Sequence, residues 1–333
     1  GNIFQTYLSV IGKTPTIIKF PFIFRIIIKH LRKYLPLSVQ NLSINLLTAN
    51  PKKLFSLGFE IRSNRRDAFR ELAKDLGHYP ASPENKSITI ITGAAGGIGR
   101  ALASQLRLRG HNLLLVDINL EGLIQLSRQL NCHYLHIDIS KTNFINELDI
   151  FIKNHNYSID WLINNAGIGF KDELGKIDIN DIAKMIDINI SALTKLSHYF
   201  VSKKNKMYKS CLVNIGSSSG YMPLPTMAAY AASKSFVQSF TLSLMSEYPD
   251  ERIFLLDPSG TDTNFQNKAG VRKTKNEKLL TPEDVANSII MSVERNKKVQ
   301  IFGKSGKLLY LISKFLPRQF QHKLMFKLMK KMR

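Results

Sequence analysis

Acidic residues are missing from both ends of this 333-residue chain. None precedes Glu60 and none falls within residues 304–333, while Lys and Arg recur through both stretches. The whole carries a formal charge of +22, from 47 Lys and Arg against 25 Asp and Glu. A surplus of that size points to nucleic acid, an anionic membrane surface or an anionic substrate. No nucleic-acid module accompanies the charge, and its concentration at the ends favours a membrane surface over nucleic acid.

Cysteine is also scarce. Cys132 and Cys211 stand far apart, each beside a strand-like run, which argues against a disulfide framework or a cysteine metal site. They read as reduced core residues of a cytoplasmic-type compartment, and no metal ligands are assigned. Long uninterrupted apolar runs are lacking too. Ile17 to Leu31 is the richest stretch, but Lys19, Arg25 and Lys29 interrupt it and Pro21 sits inside. A spanning helix needs about 20 largely apolar residues, so this segment is expected not to cross a bilayer. It fits a secretory signal poorly as well, having no confined basic end and no small-residue cleavage site. It reads either as an interfacial segment on an anionic membrane, peripherally held, or as a basic helix packed on the main domain. Residues 64–77 read as a short helix closed by Gly77, with Pro80 and Pro83 as a linker.

What the chain does have begins at about residue 87. Ser87–Thr92 is an apolar run suited to a buried parallel strand. It leads into Gly93-Ala-Ala-Gly-Gly-Ile-Gly99 and then a helix to Arg109. Glycines there permit a tight turn and let a pyrophosphate approach a helix N-terminus. The next strand, 112–116, ends on Asp117, where a carboxylate would accept hydrogen bonds from an adenosine ribose and repel a 2′-phosphate. NAD(H) is therefore expected over NADP(H), with Arg100 the one nearby base that argues the other way. A helix over 120–130, a strand over 132–137, a helix to about 156 and a strand over 160–163 follow. This alternation predicts a doubly wound, Rossmann-like parallel sheet with helices on both faces.

Further on, Tyr230 and Lys234 are four residues apart in Tyr230-Ala-Ala-Ser-Lys234, one helical turn on one face. A phenol with its ordinary pKa of about 10 is a poor base; a nearby ammonium favours the phenolate. Such a pair can exchange a proton with an alcohol or a carbonyl near neutral pH. Ser217, in Asn214-Ile-Gly-Ser-Ser-Ser-Gly220, can hydrogen-bond the same substrate oxygen; Ser218 and Ser219 are the alternatives.

Thr92-Gly-x-x-x-Gly-Ile-Gly99, Asp138, Asn164-Asn-Ala-Gly167, Asn189, Ser217 and Tyr230-x-x-x-Lys234 appear in this order. Together they resemble the short-chain dehydrogenase/reductase family in its compact single-domain form, over about residues 87–303. The resemblance implies Tyr230 as general acid/base, Ser217 orienting the substrate oxygen, and Lys234 acting on Tyr230 and the nicotinamide ribose. Asn189 would keep a water in a relay to Lys234. Gly93, Gly97, Ile98 and Gly99 would line the pyrophosphate, with Asp138 at the adenine. Asn165, Ala166 and Gly167 would pass beneath the cofactor, and Asn164 would fix neighbouring strands. The family pattern Pro-Gly-x-x-x-Thr reads here Pro258-Ser-Gly-Thr-Asp-Thr263. Ser259 would be strained if the backbone needs positive φ; Gly260 could supply the turn instead. Thr263 is preferred to Thr261 as the nicotinamide contact. Asn264 to Lys278 resembles a lid over the substrate.

The expected organisation is a basic, mainly helical extension (1–86), the catalytic domain (87–303) and a tail (304–333) of two basic amphipathic helices parted by Pro317. The expected activity is hydride transfer between NAD(H) and a secondary alcohol or ketone, lipophilic given the basic apolar ends. A non-catalytic nucleotide-binding scaffold or sensor at a membrane surface is the alternative. The family also implies a homodimer or homotetramer.

Overall fold

The computed structural model describes residues 86–203, 210–270 and 279–331. The expectations for residues 1–85, including the interfacial segment and the helix over 64–77, lie outside the described residues.

Among the described residues, seven strands form one parallel sheet: β1 (Lys86–Thr92), β2 (Leu113–Asp117), β3 (His133–His136), β4 (Tyr157–Asn164), β5 (Cys211–Ile215), β6 (Arg252–Pro258) and β7 (Val299–Phe302). Their order is β3-β2-β1-β4-β5-β6-β7. The chain therefore winds outward from β1 in one direction, returns, and winds outward from β4 in the other. Between β1 and β4 the direction reverses, and a crevice opens beyond their carboxyl ends, where such sheets take ligands.

Alternation along each strand divides the core. Ile91, Leu113 and Leu115 face the helices α1 (Gly97–Leu108), α2 (Leu120–Leu130) and α8 (Pro282–Glu294). Ile88, Ile90, Leu114 and Val116 face α3 (Phe144–Asn154) and α5 (Leu193–Lys203). Both faces are covered, which is why the strands read as unbroken apolar runs. Helix starts carry their own signals. Asn119 caps α2 by accepting from the Gly122 amide, and Thr281 caps α8 by accepting from Asp284, with Pro282 at the first position.

The long helix expected from about Asn180 is three pieces: α4 (Ile179–Ile186), a π-helical turn (Asp187–Ala192) and α5. The remaining helices are α6 (Ala228–Glu247), the short α7 (Asn264–Lys268), α9 (Lys304–Phe315) and α10 (Arg318–Lys331). The last two part at Pro317, as the sequence predicts. Both cysteines are free thiols, Cys211 buried and Cys132 partly so. No described helix is long and apolar enough to cross a membrane.

Candidate active site

The glycine loop at the head of β1 is shaped by backbone proximity. Gly93 has φ +63°, and a Cβ there would lie 2.8 Å from the Ala166 Cα. A Cβ on Gly99 would run into the Gly93 carbonyl, and one on Gly97 would come within 2.6 Å of the Thr263 methyl. Side chains at these positions would fill a cradle that the glycines keep open. Above it α1 begins with Gly96 as N-cap, no side-chain cap and no acid in its first turn. Its amides thus present the positive end of the helix dipole without an internal anion to satisfy it. Ile98 is partly buried against the core beneath α1, so what it offers the cradle is its backbone. These residues fit a dinucleotide pyrophosphate.

Asp117, at the end of β2, accepts from the Ala95 amide (2.9 Å) and the Asn119 amide (2.9 Å). Arg100 is spent on the same junction, donating to the Ala95 carbonyl (2.9 Å) and the Gly122 carbonyl (3.4 Å). Asp138 follows β3 and accepts from the Ser140 amide and hydroxyl. Its partial burial raises the pKa, but the Ser140 hydrogen bonds and the Lys184 and Lys141 charges hold it below the usual carboxylate range. Asn165 reaches back to the carbonyls of Thr92 (3.0 Å) and Gly93 (3.1 Å), tying β4 to the glycine loop. Asn164 donates to Asn214 (2.8 Å) and Ser197 (3.3 Å), which joins β4, β5 and α5 as a structural tie.

Across the crevice the other predicted residues converge. Ser217 follows β5, and α6 carries Tyr230 and Lys234 one turn apart; all three are buried. Ser217 hydrogen-bonds the Tyr230 hydroxyl, and the Lys234 ammonium stands 6.0 Å from the Tyr230 ring centre. Lys234 donates to the Ile215 carbonyl at 3.1 Å. Asn189 sits in the π-helical turn, where the extra residue aims its carboxamide inward. It accepts from the Ile168 amide (3.0 Å) and donates to the Ile168 carbonyl (2.9 Å) and the Ser233 hydroxyl (3.0 Å). A Cβ on Gly167 would lie 3.3 Å from the Asn189 carbonyl oxygen and 3.5 Å from the Lys234 nitrogen.

Burial dominates the titration of the pair. It pushes Tyr230 up to about 12, partly offset by the Ser217 hydrogen bond, and draws Lys234 down to about 8, opposed by the Asp257 charge. The sequence reading has Lys234 favouring the phenolate; in the structure burial of the phenol is the leading cause acting on Tyr230, and it works the other way.

The sequence profile of the short chain dehydrogenases matches residues 87–274, more than half of the chain. The chain belongs to the short-chain dehydrogenase family. It is 31% identical over 197 residues to a very-long-chain 3-oxoacyl-CoA reductase of Anas platyrhynchos, a match covering 56% of this chain and 63% of that protein. Among solved structures it resembles a short-chain dehydrogenase from Sphingobium yanoikuyae in complex with NADPH (27% identity, TM-score 0.58, 65% of this chain and 87% of that one). It also resembles a 4-hydroxyisoleucine dehydrogenase complexed with NADH and succinate (25% identity, TM-score 0.58, 64% and 97%).

Against the family pattern, the segment after β6 departs without strain. Neither Ser259 nor Gly260 has positive φ. Ser259 is buried and donates to the Phe302 carbonyl (2.8 Å), joining β6 to β7. Thr261 is turned inward, donating to the Ser259 carbonyl (3.0 Å). Thr263 is the threonine that meets the glycine loop, through Gly97. Of the stretch from Asn264 to Lys278, residues 264–270 are described and 271–278 are not. Phe265 of α7 lies 5.5 Å, ring centre to ring centre, from Tyr230, and Gly169 is wedged between the two rings. The Lys171 amide donates to the Ala269 carbonyl (2.8 Å), which holds this segment against the loop after β4.

Sequence reasoning missed Asp257. It is fully buried at the end of β6, accepting from the Tyr221 hydroxyl (2.5 Å) and Gln238 (3.4 Å). Gln238 also donates to the Ser217 carbonyl (2.9 Å). The signal was one acid closing the apolar run Ile253-Phe-Leu-Leu256. Sequence reasoning also missed that α9 reaches the site: a Cβ on Gly306 would be 2.9 Å from the Ser218 Cβ, and Tyr310 packs edge-on against Tyr221 at 5.0 Å.

Proposed function

We propose that this chain is an NAD(H)-dependent oxidoreductase that reduces a ketone on a lipophilic substrate to a secondary alcohol. The observation that carries the reading is the convergence of Ser217, Tyr230, Lys234 and Asn189 opposite the glycine cradle, at the carboxyl ends of the central strands. A bound nicotinamide cofactor supplies the hydride. With its pKa near 12, Tyr230 is protonated throughout the neutral range and suited to donate a proton to the developing alkoxide. Ser217 hydrogen-bonds the same oxygen and holds Tyr230 in line. Lys234, fixed by the Ile215 carbonyl, supplies positive charge beside the phenol and binds the nicotinamide ribose. Asn189 orients the loop through Ile168 and stands next to Lys234, where a water would link the two. Gly93, Gly97, Gly99 and the backbone of Ile98 take the pyrophosphate. Asp117 takes the adenosine ribose and, with Arg100 committed to backbone carbonyls, disfavours a 2′-phosphate. Asp138 would border the adenine, the 165–167 backbone would line the cofactor, and Thr263 would meet the nicotinamide.

The substrate class comes from two sides. The duck reductase is named for very-long-chain 3-oxoacyl-CoA, and this chain spans about three fifths of its length. The α9–α10 pair exposes Leu308, Leu311, Phe315 and Phe326 among Lys304, Lys307, Lys314, Lys323 and Lys327, a surface suited to anionic lipid. A ketone on a long acyl chain, taken at a membrane surface, fits both. The test follows NADH and NADPH absorbance with short and long 3-oxoacyl thioesters and simple ketones, with Tyr230→Phe as control. Long-chain turnover with NADH that vanishes in the variant is the expected result. Cofactor binding without turnover of any ketone would favour the scaffold reading.

A further inference from the structure

Asp257 is the one fully buried acid among the described residues, and it lies behind the active site. A carboxylate removed from water is costly unless its surroundings use it. Here it has replaced what a side chain at 216 would occupy: a Cβ on Gly216 would overlap its Oδ1. Its Oδ2 takes the Tyr221 hydroxyl and Gln238, and Gln238 in turn takes the Ser217 carbonyl. The turn that carries Ser217 is therefore held at its start and its end by groups anchored on one carboxylate.

We infer that Asp257 is a positioning residue for this site, fixing the Ser217–Tyr221 turn and setting a negative charge opposite the Lys234 ammonium. It touches neither substrate nor cofactor and acts through Ser217 and Lys234. The groups facing it are Tyr221 from the turn, and Lys234, Gln238 and Tyr230 from α6; Tyr310 of α9 bears on Tyr221. Burial raises Asp257 to about 6, while the Tyr221 and Gln238 hydrogen bonds and the Lys234 charge pull the other way. Between that value and about 8 for Lys234, both are charged. The sign follows. An acid whose pKa is raised on folding loses stability for the fold as pH rises from its unfolded value, 3.8, to about 6.

The inference rests on the oxidoreductase reading only for its turnover readout. The experiment compares wild type, Asp257→Asn and Tyr221→Phe as full chains in three ways: thermal unfolding without cofactor across pH 4–8, NADH fluorescence titration across pH 6–9, and kcat against pH. In Asp257→Asn the fall in stability between pH 4 and 6 should disappear. The pH midpoint at which NADH binding weakens should move down by about one pH unit, because Lys234 loses the charge that opposes its burial, and kcat should drop about tenfold or more. In Tyr221→Phe the carboxylate loses a donor, so its acid-side transition should move up. A folded Asp257→Asn variant with wild-type pH dependence in both unfolding and NADH binding overturns the inference. Should Asp257→Asn fail to fold, an unmoved acid-side transition in Tyr221→Phe overturns it. Absence of ketone turnover in the wild type would sink the oxidoreductase reading alone, since unfolding and NADH binding still judge Asp257.

Discussion

Tyr230 and Lys234 carry opposite consequences of the same burial. The phenol is held in its proton-donating form, while the ammonium keeps its charge at neutral pH but loses it from about pH 8. Removing the hydroxyl in Tyr230→Phe leaves the ring packed against Phe265 and takes away the proton donor. Turnover should fall by about 10²–10⁴-fold, the usual worth of a positioned acid or base, with thermal stability nearly unchanged. Parallel kinetics and calorimetry check both halves; a large loss of stability would make Tyr230 a structural residue first. Lys234→Met should abolish turnover and also move Asp257. Without the ammonium, the carboxylate loses a group that lowers its pKa. The pH range over which stability declines should then extend above about 6. Unfolding temperatures at pH 5, 6, 7 and 8 would show it, and a decline that still ends near 6 would count against any coupling of the two charges. Asn164 is a different case, a buried amide serving the fold. Asn164→Ala strands the Asn214 carbonyl oxygen and should cost about 1–3 kcal/mol, read by denaturant unfolding, with kcat close to wild type.

At the scale of elements, what the sequence disclosed and what it hid have separate physical reasons. The doubly wound parallel sheet was legible because strand and helix signals alternate along the chain. The cradle was legible because the backbone contacts at Gly93 and Gly99 admit only glycine. The π-helical turn was not, since Asn189 sits in a stretch whose apolar spacing reads as continuous helix. Nor was Asp257, for a single acid at a strand end looks the same whether it meets solvent or Tyr221. The tail is the case that the sequence leaves open. Its amphipathic pattern is the same whether its apolar face docks on protein or on lipid, and α9 does the first through Gly306 and Tyr310 while exposing Leu308, Leu311 and Phe315. The sequence alone suggests that deleting 304–333 spares intrinsic turnover. The packing of α9 on the Ser218–Tyr221 turn predicts otherwise. Deleting 304–333 should lower kcat on a short soluble ketone, whereas deleting 318–333, which spares α9, should leave it within about twofold. Equal activity of both truncations would show that α9 does not support the turn.

Along the sequence, the acid-free basic stretches stand apart from the catalytic residues. The Ser217–Tyr230–Lys234 crevice lies among the central strands, and the acid-free stretches lie at the two ends of the chain. A basic surface bearing exposed leucine and phenylalanine gains from both terms of interfacial binding: apolar burial and attraction to anionic headgroups. The attraction is screened over about 10 Å at 0.1 M salt, while the apolar term is not. Co-sedimentation with vesicles containing phosphatidylserine should therefore fall several-fold between about 0.05 and about 0.5 M salt without vanishing. Phe315→Ser with Phe326→Ser should remove the salt-resistant remainder. The double variant should keep its turnover of a short soluble ketone, because both phenylalanines are exposed, and lose the advantage that vesicles give on a long-chain one. Binding that is the same to neutral and anionic vesicles, or abolished by salt alone, would separate the charge from the apolar face and leave the ends without a shared task. A vesicle advantage that survives the double variant would instead place delivery of the long-chain ketone elsewhere on the molecule.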